Sequence, residues 1–184
     1  MAGNNQWIPV SAAGLTHRAR RGANPPLSPN YKHLPVAYHG RASSVCVSGS
    51  PLRCPRGPWL PAGAKIPTFG PCEKLDFELE FGVWIGRGNA LGDPIPIGAA
   101  ADHIAGYGLV NDWSARDIQR WESSPLGPFL SKNFGTTISP WIVTPEALAP
   151  FRTSQPARPD GDPKPLPYRS EEHTSELQSR LHLV

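Results

Sequence analysis

The sequence predicts a β-rich α+β fold built from short strands and many turns. Proline (23 residues) and glycine (18 residues) are abundant among the 184 residues, a composition that approaches that of low-complexity chains. They are interleaved with Trp, Phe, Ile, Val and Leu, which disordered chains lack. One segment, residues 74–81, alternates polar and apolar side chains with the period of a β-strand. These observations indicate a globular domain with a sizeable core.

Charge and cysteine content narrow the class of protein. The net charge of +3 is small and the positive residues are scattered, so we expect no nucleic-acid partner. Cys46, Cys54 and Cys72 are odd in number and lack C-x-x-C spacing, which argues against a disulfide framework and a zinc site. Free thiols favour a reducing, cytoplasmic location. No apolar run resembles a secretory signal or a membrane span, so we expect neither.

The first half of the chain contains one clear strand and one weaker one. A short strand is predicted around residues 45–47, followed by a turn at residues 48–51. Residues 51–72 hold too many prolines to lie inside a sheet. The clearest strand covers residues 75–85, and a glycine-rich turn at residues 86–89 ends it.

Helical signals follow in the second half. A short helix is predicted over residues 96–104, and a strand around residues 109–110 leads to Asp112. Ser114 is predicted to be the N-cap of a helix that ends at Glu122.

The last part of the chain combines loops with one more helix start. Residues 129–143 are predicted to be mostly loop and strand. Thr144 caps a further helix with Pro145 in its first turn. Residues 150–168 are again rich in proline.

Carboxylates occupy one face of the clearest strand. Residues two apart in a strand share a face, roughly 6.5–7 Å apart, so three acidic side chains would point one way and three apolar ones into a core. A solvated strand edge is the simpler interpretation, but an enclosed face would need a cation such as Ca²⁺ or Mg²⁺. The acidic residues are Asp76, Glu78 and Glu80, and the apolar ones are Phe77, Leu79 and Phe81.

Two further elements could complete a site. Asp112, Arg116 and Gln119 are spaced at i, i+4 and i+7, one stripe of a helix and its entry turn. They could serve a metal and an anionic substrate together, although a solvated helix face with an ion pair explains them equally well. Lys132 lies in the segment 131–137 and could face developing negative charge, whereas a surface lysine is the commoner explanation.

Five motifs in fixed order, between about Arg21 and Tyr168, closely resemble the fumarylacetoacetase family. The resemblance implies that family's C-terminal catalytic-domain fold, a mixed β-sandwich or roll, here incomplete. It also implies metal-dependent hydrolysis of fumarylacetoacetate to fumarate and acetoacetate, the last step of tyrosine and phenylalanine catabolism. The motifs are YHGRASS (38–44), DFELEF (76–81), GNALGDPIPI (88–97), NDWSARDIQRWE (111–122) and PLGPFLSKNFGTTISPW (125–141).

The same resemblance implies roles for individual residues. It makes three carboxylates ligands of a catalytic Ca²⁺ or Mg²⁺, excludes Asp76 from them, and gives His39 a structural role. Other residues match groups that bind substrate, stabilise negative charge or hold a second, structural cation. The implied ligands are Glu78, Glu80 and Asp112; the implied catalytic residues are Arg116, Gln119 and Lys132; the substrate contacts are Arg21 and Gln119; the second cation site is Lys132 with Thr136.

The sequence departs from the family near its N-terminus and at one position inside the matched region. A metal-binding Asp, a substrate Tyr and the general-base His should fall near residues 5–12, where Asn5, Trp7 and Ala12 stand instead. Ser123 replaces a tyrosine that contacts substrate. We therefore expect the full protein to be active and this chain to be inactive as it stands.

Three segments are predicted on this basis. Residues 1–20 do not match the family, residues 21–168 form a partial catalytic domain, and residues 169–184 resemble the translation of a sequencing adapter and are expected not to pack. The full protein is expected to be a cytoplasmic homodimer that acts on a small diketo acid and contacts neither nucleic acid nor membrane. Two alternatives stay open, namely another member of the superfamily, such as an acylpyruvate hydrolase or a decarboxylase, and a non-enzymatic fragment.

Overall fold

The computed structural model describes residues 40–152 together with His33, residues 160–164 and Leu166. It confirms a sheet-rich α+β fold. Three 3₁₀ helices accompany the other elements, at Ala42–Ser44, Ile97–His103 and Ala149–Phe151. No helix in the described part is long and apolar enough to cross a membrane. The strands are β1 (Val45–Val47), β2 (Arg56–Trp59), β3 (Thr68–Pro71), β4 (Leu75–Asp76), β5 (Leu79–Ile85), β6 (Ile104–Asp112), β7 (Ser114–Ala115) and β8 (Thr136–Ile138), and the α-helices are α1 (Arg116–Glu122), α2 (Leu130–Asn133) and α3 (Pro145–Leu148).

A four-stranded sheet forms the centre, in the order β1-β8-β6-β5. β1 runs parallel to β8, and the other neighbours are antiparallel. Glu80 lies opposite Val110, and Asp112 lies opposite Thr136. This register brings the start of β5 beside the end of β6, where the acidic residues of both strands can meet.

A two-stranded hairpin of β2 and β3 occupies the segment that the sequence excluded from any sheet. That prediction was wrong because each strand has only one partner here, and a strand with one open edge tolerates Pro58 and Pro71. The hairpin supports α1 at Gly57, where an added Cβ would come within 2.6 Å of Leu130 and 3.1 Å of Ile118. A glycine therefore allows the helices to approach this strand closely.

The segment predicted as one strand over residues 75–85 is two strands in different sheets. β4 pairs with β7, whereas β5 pairs with β6. Glu78 lies between them, and its carbonyl oxygen accepts a hydrogen bond from the Asp112 amide at 3.0 Å. Phe77 and Leu79 were predicted to enter a core, but they are 65% and 69% exposed. The alternation itself holds, because Glu78 and Glu80 are buried, but the enclosed side is the acidic one and not the apolar one.

The helix starts were predicted with mixed success. Thr144 caps α3 as expected, since its hydroxyl accepts from the Ala147 amide at 3.3 Å. Ser114 is not an N-cap, because it lies in β7 and donates its hydroxyl to the Asp112 carbonyl at 3.0 Å. α1 begins later, at Arg116.

The buried interior is polar to an unusual degree. Among the described residues, nine polar or charged side chains are buried against five apolar ones. Most buried polar groups lie around the start of β5, the end of β6 and the start of α1. The five apolar residues are Tyr107, Val110, Ala115, Ile118 and Leu148.

Candidate metal centre

Three buried carboxylates meet where the start of β5, the end of β6 and the link between β4 and β5 come together. One oxygen from each of Glu78, Glu80 and Asp112 lies within 4.8 Å of the others. Glu78 and Glu80 are only 7% and 6% exposed, so the interpretation of a solvated strand edge was wrong. Their convergence is the one that the family resemblance implied, while their role as ligands stays a prediction.

Lys132 enters this cluster from α2 and is 4% exposed. Its ammonium nitrogen lies 2.5 Å from Glu78 Oε2, 2.9 Å from Asp112 Oδ2 and 2.6 Å from Ser114 Oγ. The three donors of the ammonium group thus have three acceptors. The interpretation of Lys132 as a surface lysine was wrong.

Arg116 joins the cluster from the first position of α1. Its Nε donates to Asp76 Oδ2 at 2.9 Å, and its Nη1 lies 2.6 Å from Glu78 Oε1 and 3.0 Å from Gln119 Oε1. Asp76 therefore holds the guanidinium rather than joining the carboxylate trio. Because Gln119 accepts through its oxygen, its amide nitrogen remains a donor. Arg116 Nη2 is buried without a hydrogen-bond partner in the described part of the chain.

The surroundings shift the pKa values of two carboxyls in opposite directions. Burial is the largest influence on Glu78 and raises its pKa, but Lys132 and Arg116 together outweigh it, so the pKa lies below the usual value. Burial is also the largest influence on Asp112, and there it prevails over Lys132, with the Glu78 charge adding to it, so the pKa is raised. The ammonium and guanidinium groups thus stabilise the charge of Glu78 most directly.

The charge balance of the cluster fits a divalent cation. Three carboxylates against one ammonium and one guanidinium leave one net negative charge in the buried group, and Asp76, whose side chain is 41% exposed, lies at its edge. Buried net charge is costly unless it is compensated, and oxygen ligands suit hard ions such as Ca²⁺ and Mg²⁺. Glu78, Glu80 and Asp112 would hold such an ion.

The remaining predicted site residues have different outcomes. Thr136 lies opposite Asp112 in the sheet, beside the cluster, and its role with Lys132 in a second cation site stays a prediction. Arg21 and the segment 5–12 lie outside the described residues, as do His39 and the predicted tail 169–184.

Asp117 is a structural anchor of the site that the sequence pattern did not reveal. Its Oδ2 accepts from the Glu73 amide at 2.7 Å and its Oδ1 from the Ile118 amide at 2.9 Å. Burial raises its pKa, but these amides and the Cys72 thiol outweigh burial, so the pKa is lowered. Burial and the bond to Asp117 raise the pKa of Cys72 to about 12. Asp117 thus fixes the start of α1 to the chain leading to Glu78. An acidic residue in the first turn of a helix is the sequence signal that could have indicated this role.

Comparisons with known proteins point to one family. The family model described as "Fumarylacetoacetate (FAA) hydrolase C-terminal" matches residues 10–176. Fumarylacetoacetase of Bos taurus is 60% identical over 148 residues, which are 80% of this chain and 35% of that protein. Fumarylacetoacetase of Arabidopsis thaliana is 56% identical over 154 residues, 84% of this chain and 36% of that protein.

A solved structure shares the fold. The crystal structure of a Mycobacterium smegmatis protein provisionally named HpcE is 25% identical, with a TM-score of 0.50, over 82% of this chain and 46% of that chain. The chain spans 35–42% of the length of the curated relatives. The family match reaches beyond residues 21–168 at both ends, and the division into three segments stays a prediction.

Proposed function

This chain belongs to the fumarylacetoacetate hydrolase family, and on that premise we propose that its full protein hydrolyses fumarylacetoacetate to fumarate and acetoacetate. The observation that carries the proposal is the buried cluster of Glu78, Glu80 and Asp112 with Lys132 and Arg116 around it. Such a cluster gathers cationic groups and donors where negative charge develops during cleavage of a 1,3-diketone.

The side chains of the cluster have distinct proposed roles. Arg116 presents its buried Nη2, and Gln119 its amide nitrogen, as donors for a substrate carboxylate or oxyanion. Lys132 adds positive charge beside them. A bound Ca²⁺ or Mg²⁺, our proposal for the cofactor, would supply Lewis-acid polarisation of the diketone oxygens.

The chain as it stands is proposed to lack the general base. Positions 5–12, where the resemblance places the base, contain no histidine. His103 is buried at the far end of β6 from Asp112, and its Nδ1 bonds the Arg87 carbonyl oxygen at 2.7 Å. General-base catalysis is worth about 10²–10⁴-fold in rate, so turnover by this chain should fall at least that far below that of the full protein.

Two alternative functions remain distinguishable. An acylpyruvate hydrolase or decarboxylase would use a similar metal scaffold, but identities of 56–60% to fumarylacetoacetases favour the first proposal. A non-enzymatic fragment would show cation binding at most.

The proposal also includes a small diketo acid as substrate, a homodimeric full protein and a cytoplasmic location without nucleic-acid or membrane contacts. The three free cysteines support that location.

A chimeric enzyme tests the function. Residues 40–152 would replace the corresponding segment of the Bos taurus relative, and substrate absorbance would be followed with fumarylacetoacetate and with an acylpyruvate. We expect hydrolysis of fumarylacetoacetate that falls at least about 100-fold in Glu80→Gln and is unchanged in the exposed control Asp102→Asn.

The outcomes separate the alternatives. A folded chimera that prefers the acylpyruvate would favour the second function, and one indifferent to Glu80→Gln would remove the metal centre from the mechanism. Calorimetric titration of the isolated chain with Ca²⁺ and Mg²⁺, compared with Glu80→Gln, tests the cation site independently of turnover.

A further inference from the structure

Glu122 is a charged residue at an unfavourable place in its own helix. It occupies the last position of α1, where the negative end of the helix dipole disfavours a carboxylate. Its side chain is partly buried. A carboxylate retained at such a position needs compensation from another part of the molecule.

The compensation comes from the start of α2. Glu122 Oε1 accepts from the amides of Phe129 and Ser131, both at 2.8 Å, and from the Ser131 hydroxyl. Its Oε2 accepts from the Leu130 amide at 3.2 Å. One carboxylate therefore takes four hydrogen bonds, three of them from backbone amides.

Those amides are the ones that a helix start leaves without partners. The N-cap of α2 is Phe129, whose side chain cannot accept a hydrogen bond. Glu122 thus supplies from α1 the cap that α2 lacks. It closes the segment between residues 122 and 131, which includes the 80% exposed Leu126, into a fixed turn.

The next residue after this turn is Lys132. We propose that Glu122 is a positioning residue that directs the Lys132 ammonium group into the carboxylate cluster by capping α2. Ser131 is fully buried, so displacement of its backbone would also displace Lys132 from Glu78 and Asp112. The geometric part of the proposal stands alone, while any effect on catalysis rests on the proposed function.

The reactivity of the Lys132 amine measures its placement without metal or substrate. The folded chain would be treated briefly with an N-hydroxysuccinimide acetate, and acetylation at each lysine quantified by mass spectrometry. Glu122→Gln keeps one oxygen as acceptor but sets an amide nitrogen against a backbone donor, and Glu122→Ala removes every acceptor. We expect Lys132 acetylation to rise several-fold in Glu122→Gln and at least about tenfold in Glu122→Ala. Acetylation of Lys65 and Lys74 should stay unchanged.

General destabilisation needs its own control. Leu148→Ala removes a buried apolar side chain of α3 and lowers stability without contacting Glu122. We expect its Lys132 reactivity to stay near that of the unsubstituted chain at temperatures where both are folded. Unchanged Lys132 reactivity in Glu122→Ala, or an equal rise in Leu148→Ala, would overturn the proposal.

A double-mutant cycle separates this proposal from that of the metal centre. Glu122→Gln should change Ca²⁺ affinity when Lys132 is present and leave it unchanged in a Lys132→Met background, because its effect passes through the ammonium group. Equal effects in both backgrounds would mean a merely structural role. If no variant binds Ca²⁺, the metal proposal fails, and the acetylation pattern still decides the role of Glu122.

Discussion

The two sides of the chain around β5 differ in how far the rest of the chain buries them. On one side, Glu78 and Glu80 are buried and Glu78 is bonded to Lys132 and Arg116. On the other, Phe77 and Leu79 are largely exposed. The acidic side is thus enclosed by the described residues, whereas the apolar side presents a surface that a soluble monomer usually covers.

The site and the apolar core are separable in this fold. The interior of a typical domain consists mainly of apolar residues. Here buried ion pairs hold together the link before β5, the end of β6, α1 and α2, and the apolar interior of the described part is small. Stability of this chain should therefore depend more on buried charge than on the exposed apolar side.

The largest expected effect comes from removing the buried ammonium group. Lys132→Met leaves Glu78 and Asp112 without their shared partner, and breaking a buried pair costs about 3–5 kcal/mol. Urea denaturation followed by circular dichroism would measure it, with the exposed Lys65→Met as control, for which a change within about 0.5 kcal/mol is expected. A loss of unfolding free energy no larger than that of the control would show that the buried ion pairs contribute little to stability.

A smaller effect is expected at the buried carboxylate outside the cluster. Asp117→Asn weakens bonds to the Glu73 and Ile118 amides and should cost about 1–3 kcal/mol. Because the pKa of Asp117 is lowered by folding, its contribution is complete above the ordinary value of about 3.9. It is lost as pH falls through the lower, folded value.

Denaturation of both proteins between pH 3 and pH 7 checks the sign of this effect. The difference in unfolding free energy should be constant at neutral pH and shrink in acid. A difference that grows as the pH falls would contradict the assigned hydrogen bonds.

The smallest change in stability is expected on the apolar side. Leu79→Thr alters an exposed side chain and should shift the unfolding free energy by less than about 0.5 kcal/mol, while lowering the binding of a hydrophobic dye. Ile118→Ala, at a fully buried position, is the matched control and should cost about 2–5 kcal/mol. A comparable loss for Leu79→Thr would show that this side is packed after all.

Local signals in the sequence predicted local structure well. The strand at residues 45–47 and the Thr144 cap depend on a few neighbouring residues, so their patterns were sufficient. The hairpin of β2 and β3 was missed because the proline rule applies to strands with two neighbours. A sequence pattern thus predicted the elements that depend on neighbouring residues, and missed the pairing of two separate segments.

The burial of the acidic side could not be predicted from alternation alone. Alternation distinguishes two sides of a strand but not which one is enclosed. The enclosure of Glu78 depends on Lys132, which is 54 positions away, and on Arg116. Only the family resemblance named these residues together in advance, and it did not include Ser114 or Glu122, whose roles come from hydrogen bonds formed in the folded chain.

The register of β5 against β6 determines which changes of length this gene can accumulate. Glu80 faces the cluster because it lies opposite Val110, and a shift of one residue would turn every side chain of the strand to the other side. Deletion of a single codon within β5 would thus exchange the acidic and apolar sides beyond the deletion, although no site residue had been substituted. The turn and loop at residues 86–96 lie outside the paired ladder, and the irregular pairing at Trp84 and Ile85 separates them from Glu80. A change of length in that loop should therefore disturb the position of Glu80 less than a change of length within either strand.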